Sequence, residues 1–269
     1  MPELPEMENY KHLLNNKIKN KIISNVVINR NKSINNSVDS FVNMVKGKQI
    51  IDIKRRAKHL LFYLESGEIL LLHLMLGGWM FYGLSNEKPD RTIQIQLSFQ
   101  ENHLYFIGLR LGYLHLFTQN ELEKELLDLG PEPLDSSFTI DAFQQIISNK
   151  RGRIKTTLID QKFLAGIGNR YADEICWKAK INPLKKMSDI TEHTRSNFYQ
   201  SIQSVLKEAI HSGGYMDKPL FNGDLKTGGY NNFFKVYNKE GENCSRCTSI
   251  IIKEEVSSRK VFYCPNCQQ

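Results

Sequence analysis

Leu129-Gly130-Pro131-Glu132-Pro133-Leu134 is where this 269-residue chain changes texture. Two prolines and a glycine so close together stop regular structure and mark a connector. Before it, short apolar runs recur at strand spacing; after it, apolar residues recur at helical spacing. The reading is an α+β chain divided near residue 128.

On the N-terminal side, Met7, Tyr10, Leu14 and Ile18 lie on one helical face and predict a helix over residues 4–19. Strands are expected at Ile22–Ile28, Gln49–Ile53, His59–Leu64, Ile69–Leu74 and Tyr113–Phe117. Thr92–Phe99 alternates strictly, with Ile93, Ile95, Leu97 and Phe99 on one face and polar residues on the other. That pattern predicts a half-buried strand. Many short strands at close intervals suggest a sandwich or barrel.

On the C-terminal side, helices are expected at Phe138–Ser148, Ile154–Phe163, Arg170–Ala179 and Glu192–His211. Residues 212–231, rich in Gly, Asn and Asp, read as a long loop, and loops of that length are more often functional than mere connectors. Within the helical part, Gly166-Ile167-Gly168-Asn169 separates two segments and sets Asn169 at a helix start. Such a turn suits a phosphate, although a ligand-free helix hairpin is the commoner case. Lys155 ahead of it is either a phosphate contact or an ordinary surface lysine.

Residues 232–269 carry four of the five cysteines, as Cys244-x2-Cys247 and Cys264-x2-Cys267. Two such pairs offer the tetrahedral four-sulfur site that zinc prefers, and with every position filled by sulfur the metal is structural. Cys176 lies apart on a predicted helix and reads as core. Between the pairs a hairpin is expected, with Arg259 and Lys260 near its tip. A basic tip suits a DNA groove and equally describes a solvated turn.

Composition narrows the class. Hydrophobic residues at 41% and charged residues at 24% describe a globular chain. No apolar run is long enough to span a bilayer, and the acidic, proline-broken opening Met1-Pro2-Glu3-Leu4-Pro5-Glu6 is unlike a secretory signal. A cytoplasmic protein with reduced or metal-bound cysteines is the expectation. The net charge is +7, and the whole excess lies late: residues 1–149 balance at −1 and residues 150–269 at +8. A polyanion such as nucleic acid fits that asymmetry, as does a merely basic surface.

The opening residues carry one further chemical possibility. Removal of Met1 ahead of a small residue would leave Pro2 as a free secondary amine. Such an amine attacks an aldehyde-level carbon to give an iminium, an electron sink for elimination. Glu3 and Glu6 stand beside it as possible acids or bases. Taken alone, these residues read as the start of a helix and nothing more.

Together, Pro2–Glu8, Arg55–Leu61, His73-Leu74, Leu129–Leu134, Gly166–Glu174, Val236-Tyr237 and the four-cysteine segment closely resemble the formamidopyrimidine-DNA glycosylase/endonuclease VIII family, almost end to end. The resemblance implies an N-terminal β-sandwich catalytic domain with a flanking helix over residues 1–128. It implies a linker, helix–two-turn–helix domain and lesion loop over 129–231, and a zinc finger with one structural zinc ion over 232–269. It implies a base-excision-repair glycosylase and abasic-site lyase that removes a damaged, purine-derived base from double-stranded DNA, acting as a monomer at the chromosome with no membrane partner. Pro2 would be the nucleophile at the sugar C1′, Glu3 would protonate the ring oxygen, and Lys58 would complete the catalytic set. His73, Leu76, Arg110, Lys155, Asn169 and Arg259 would contact DNA, with Cys244, Cys247, Cys264 and Cys267 on the metal. The rival is a zinc-finger protein that binds lesions or bent DNA with little or no excision.

Three departures from the family pattern stand out. The wedge that fills the void behind a flipped base, usually Met, Arg and Phe, reads Leu76, Arg110 and Gly112. The lesion loop opens Gly213-Gly214-Tyr215-Met216 where the purine-directed branch has Gly-Gly-Thr-Thr. These departures predict weak excision of the usual oxidised guanine with abasic-site cleavage retained.

Overall fold

The computed structural model describes residues 1–269 and divides into two compact units, residues 1–127 with 212–229, and residues 128–211 with 230–269. No helix is long and apolar enough to cross a membrane.

The first unit begins with helix α1 (Leu4–Ile18), entered through Glu3 as N-cap with Pro5 in the first turn, where a missing N–H costs nothing. Strand β1 (Asn25–Ile28) and helix α2 (Val38–Val45) follow, then β2 (Ile50–Arg56), β3 (His59–Leu64), β4 (Ile69–His73), β5 (Trp79–Leu84), β6 (Ile93–Phe99), β7 (Asn102–Ile107), β8 (Tyr113–Phe117) and helix α3 (Gln119–Leu126). The strands form two antiparallel four-stranded sheets, β1-β6-β7-β5 and β2-β3-β4-β8. One apolar core joins Leu60, Phe62, Leu70, Leu72 and Leu114 of the second sheet to Met80, Ile95, Leu97, Leu104 and Phe106 of the first, with Met7, Tyr10 and Leu14 of α1 added. Period-two alternation puts these residues on the facing surfaces.

The strand expectations need four corrections. Ile22 is more than half exposed and makes only an isolated bridge to Gln49, so β1 starts three residues later. Two residues of the polar face of β6 are buried as well: Gln94 accepts from the Leu109 N–H, and Ser98 pairs with His103. Strands β5 and β7 were not anticipated; their runs are apolar on both faces, so alternation does not mark them. Helices α2 and α3 are likewise additions, capped by Ser37 and Thr118.

The second unit contains α4 (Ile140–Ser148), α5 (Ile154–Leu158), α6 (Asn169–Ala179), α7 (Glu192–His211) and a hairpin of β9 (Ile252–Val256) and β10 (Arg259–Tyr263). Helix α5 is shorter than the expected Ile154–Phe163. The Gln161 amide takes the carbonyls of Ile159 and Ile167, both at 2.8 Å, and turns the chain back. Residues 212–229 have no long regular element but belong to the first unit, not to the helical segment that precedes them in sequence. The reason is Leu220, fully buried in the sandwich core, whose carbonyl accepts the Tyr82 N–H at 2.6 Å.

Candidate functional site

In the first unit the chain's opening is buried. Pro2 is buried, Glu3 is 3% exposed, and Glu6 is 1% exposed. The two oxygens of Glu6 have separate tasks. Oε2 accepts the Glu3 N–H at 2.8 Å, closing a capping box at the start of α1. Oε1 accepts the Tyr215 N–H at 3.0 Å, so one carboxylate holds both Glu3 and the loop at 215. Gly214 is required there: its φ is +69°, and a Cβ would come within 2.4 Å of Glu6 Oε1.

Lys58 sits in the β2–β3 turn beside Ala57, whose φ is +52°, and is 6% exposed. Arg55 secures this turn to α1: its Nε donates to Glu8 Oε2 at 2.8 Å and its Nη1 to the Ala57 carbonyl at 3.0 Å. Although burial acts to raise the Glu8 carboxyl, the hydrogen bonds from Lys11 and Arg55 hold it below the usual range.

His73 ends β4 with its ring 4.3 Å from that of His59. Burial pushes His73 down to about 3 and His59 down to about 4. At neutral pH His73 is therefore an uncharged imidazole that carries one N–H donor, not a cation.

Leu76 and Leu111 are 70% and 66% exposed at the tips of the β4–β5 and β7–β8 turns, and Arg110 is exposed beside Leu111. Gly112, read as the wedge position that lacks its usual Phe, has no room for one. A Cβ at Gly112 would lie 2.5 Å from the His73 carbonyl oxygen and 2.7 Å from that of Leu74, so no side chain fits. The apolar group projecting from this turn is Leu111.

In the second unit, Gln161 Oε1 accepts the Gly166 N–H at 2.9 Å and shapes the turn that delivers Asn169 to the start of α6. Asn169 Nδ2 donates to the Lys260 carbonyl at 3.1 Å, joining this helix start to the finger hairpin. Lys155 requires a correction. It is fully buried, neither on the surface nor open to a phosphate. Its ammonium donates to Asp173 Oδ1 at 2.6 Å and to the Asn169 carbonyl at 2.5 Å. Burial pushes the Asp173 carboxyl up to about 7, against the pull of Lys155 and the Phe262 N–H. The neighbouring Glu174 accepts three consecutive backbone N–H groups, from Lys235, Val236 and Tyr237, at 2.8–3.0 Å. The Asp173-Glu174 pair thus organises α5, β10 and residues 235–237 together. Reading the sequence missed this role, because carboxylates on a helix carry no signal of distant backbone partners. Arg259 is exposed at the first position of β10.

The ligand atoms of Cys244, Cys247, Cys264 and Cys267 all lie within 4.8 Å of one another. The Cys244–Cys267 and Cys247–Cys264 sulfurs are 3.7 and 3.3 Å apart. These separations are too long for disulfides at about 2.05 Å and close to the edge of a tetrahedron of Zn–S bonds near 2.3 Å, about 3.8 Å. The donor set fits one structural zinc, with all four positions taken by sulfur. Arg246 lies 3.9 Å over the Trp177 ring and directs Nη1 at Cys267 Sγ, 3.8 Å away. A guanidinium there offsets charge on a four-thiolate centre. Cys176 is buried and stands outside this cluster.

Comparison with known proteins agrees with this layout. The family model described as the formamidopyrimidine-DNA glycosylase N-terminal domain matches residues 1–113. That of the formamidopyrimidine-DNA glycosylase H2TH domain matches residues 129–218, and that of the zinc finger found in FPG and IleRS matches residues 241–269. The chain is 33% identical over 274 residues to a formamidopyrimidine-DNA glycosylase of Bacillus cereus and 36% identical over 275 residues to one of Shouchella clausii, covering 100% of this chain and 99% of each relative. Among solved structures it is similar to a Lactococcus lactis FPG mutant in complex with Fapy-dG-containing DNA, with a TM-score of 0.92, 30% identity and full coverage of both chains. It is similar also to Lactococcus lactis Fpg in complex with DNA containing an abasic site, with a TM-score of 0.92, 29% identity and 99% coverage of both.

Proposed function

Because this chain belongs to the formamidopyrimidine-DNA glycosylase family, we propose that it is a base-excision-repair glycosylase and abasic-site lyase acting through Pro2. The observation that carries the assignment is the corner at the start of α1. There Glu6 holds the Glu3 backbone and the loop at Tyr215 with one carboxylate, and Pro2 and Glu3 are buried.

The chemistry follows from the residue types. The target nucleotide leaves the stack, because C1′ is shielded within a duplex. The Pro2 nitrogen bonds to C1′ and the damaged base departs with the electron pair of the glycosidic bond. The nitrogen loses the proton it carries after attack, Glu3 gives a separate proton to the ring oxygen as the C1′–O4′ bond breaks, and the regained nitrogen lone pair forms the iminium. A C2′ proton is then lost, the iminium takes up the electrons, and the 3′ phosphate leaves, nicking the strand. Lys58 holds phosphate near the reacting sugar. His73, Arg110, Asn169 and Arg259 fix the backbone, and Leu76 and Leu111 fill the gap left by the base. Lys155 acts indirectly, by holding the Asn169 carbonyl at the start of α6. The substrate is a damaged, purine-derived base in double-stranded DNA, and the enzyme works as a cytoplasmic monomer.

The test is borohydride trapping on an abasic duplex and on duplexes with ring-opened and oxidised guanine. Wild type should form one covalent adduct at Pro2, and Pro2→Gly or a protein retaining Met1 should lose most of it. Equal trapping by a protein that retains Met1 overturns the Pro2 assignment. Single-turnover excision of oxidised guanine is expected to be slower than abasic cleavage, since extrusion costs a few kcal/mol and the loop at 215–216 departs from the purine-directed pattern.

A further inference from the structure

Tyr215 stands where the purine-directed branch carries a smaller side chain, and its hydroxyl reaches the chain's opening. It donates to the Met1 carbonyl at 2.5 Å. That carbonyl belongs to the Met1–Pro2 peptide, so its oxygen is two bonds from the Pro2 nitrogen. With C=O near 1.23 Å and C–N near 1.33 Å, the phenol oxygen lies within about 5 Å of that nitrogen.

The placement is built. The ring is 4% exposed, and the Tyr215 N–H is fixed on Glu6 Oε1. Gly213 and Gly214 both have positive φ, and a Cβ on Gly213 would come within 2.0 Å of the Lys226 carbonyl oxygen. The loop behind is fastened by Asp224, which accepts from the N–H groups of Leu220, Lys226 and Thr227 and from the Thr227 hydroxyl. Hydroxyl and nitrogen are therefore held in one neighbourhood by two separate anchors.

Resting on the reading of Pro2 as nucleophile, we propose that Tyr215 is a positioning residue for the Pro2 amine. While Met1 is present the phenol caps its carbonyl. Once Met1 is removed, the same oxygen accepts the single N–H of the Pro2 amine. Fixing that N–H fixes the lone pair, which then points away from Tyr215 and toward C1′. The hydroxyl also addresses a balance the reaction must meet. Attack leaves N–H on a positively charged nitrogen, and an iminium of a secondary amine has no N–H. That proton passes to the phenol oxygen as the phenol releases its own to water, while Glu3 supplies a separate proton to the ring oxygen.

The experiment uses full-length, zinc-loaded protein with Met1 removal verified by mass. Borohydride trapping on an abasic duplex is followed under single turnover at saturating DNA from pH 6 to 9, for wild type, Tyr215→Phe and Tyr215→Thr. Loss of one hydrogen bond of ordinary strength predicts trapping about tenfold slower in Tyr215→Phe, with an altered pH profile, unchanged DNA affinity and unchanged melting temperature. Tyr215→Thr should be equally slow, because its hydroxyl is too short to reach. Wild-type rates in Tyr215→Phe across the pH range, or a defect confined to DNA affinity, overturn the role of Tyr215. Failure of wild type itself to trap refutes Pro2 as nucleophile, and this inference with it.

Discussion

Two stretches with little regular structure, residues 212–229 and the four-cysteine finger at 241–269, are held in opposite ways. The first is fastened by carboxylates that accept backbone N–H groups, Glu6 at its start and Asp224 within, and by one buried side chain, Leu220. The second packs Ile251 and Phe262, with Val236 from just ahead of it, around four sulfurs. A carboxylate anchor is part of the chain and is present whenever the unit folds. A metal anchor is conditional on the ion. The loop should therefore be ordered before any DNA arrives, whereas the finger's shape follows zinc occupancy.

Breaking the metal anchor should give the largest effect. Structural zinc contributes on the order of 10–16 kcal/mol of apparent binding energy in isolated fingers. Cys264→Ser, or chelation, should abolish zinc binding and hydrogen-exchange protection across β9 and β10, and leave protection in residues 212–229 unchanged. Simultaneous loss in both regions would show that they are not independently anchored.

Next comes the buried pair that joins the finger to the helices. Lys155→Ala leaves the Asp173 carboxyl buried without its cation, where burial drives it to the protonated form, and removing one partner of such a pair costs about 3–5 kcal/mol. Denaturant unfolding should show that loss, and Lys155→Met combined with Asp173→Leu should recover most of it. Recovery would assign Lys155 to structure; a double variant that is stable yet binds DNA poorly would separate the two roles.

Asp224→Ala tests the carboxylate anchor itself. The loss is about 2 kcal/mol for hydrogen bonds to a charged acceptor, read as faster exchange at Leu220, Lys226 and Thr227. Zinc content should stay at one per chain. Unchanged exchange would mean that Leu220 alone secures the loop.

Acid gives the most graded effect, in the sheet that carries His59 and His73. Unfolded histidine takes a proton near pH 6.5, while folded His59 and His73 do so only near 4 and 3. The unfolded state therefore binds more protons in this window. The stability these groups contribute is present above pH 6.5 and falls with pH by up to about 1.4 kcal/mol per unit for each imidazole. Urea midpoints at pH 7.5 and 5.0 should differ less in His59→Phe than in wild type.

How far the sequence could be read tracks how local each interaction is. The finger was legible because its ligands come in pairs three residues apart, and α7 because its apolar face repeats over five turns. The order of residues 212–229 was not, since Tyr215 finds Glu6 and Asn222 finds Glu87 far away along the chain. Lys155 passed for a surface lysine because its burial depends on Asp173, on another helix. That the turn projects Leu111 rather than its neighbour Gly112 was not legible either. Only the backbone around them reveals which one has room for a side chain.

That last feature bears on how the enzyme can change. Gly78 and Gly112 press on the carbonyls of residues 73 and 74, and Gly108 on that of Gly77, so the two turns share one wall with no room for a Cβ. The tips at Leu76, Arg110 and Leu111 face open space. For directed evolution the turns are an exchangeable cassette on an invariant frame. Libraries at 76, 110 and 111 alter exposed side chains without touching the frame, while changes at 78, 108 or 112 are lost to misfolding before selection can act on them.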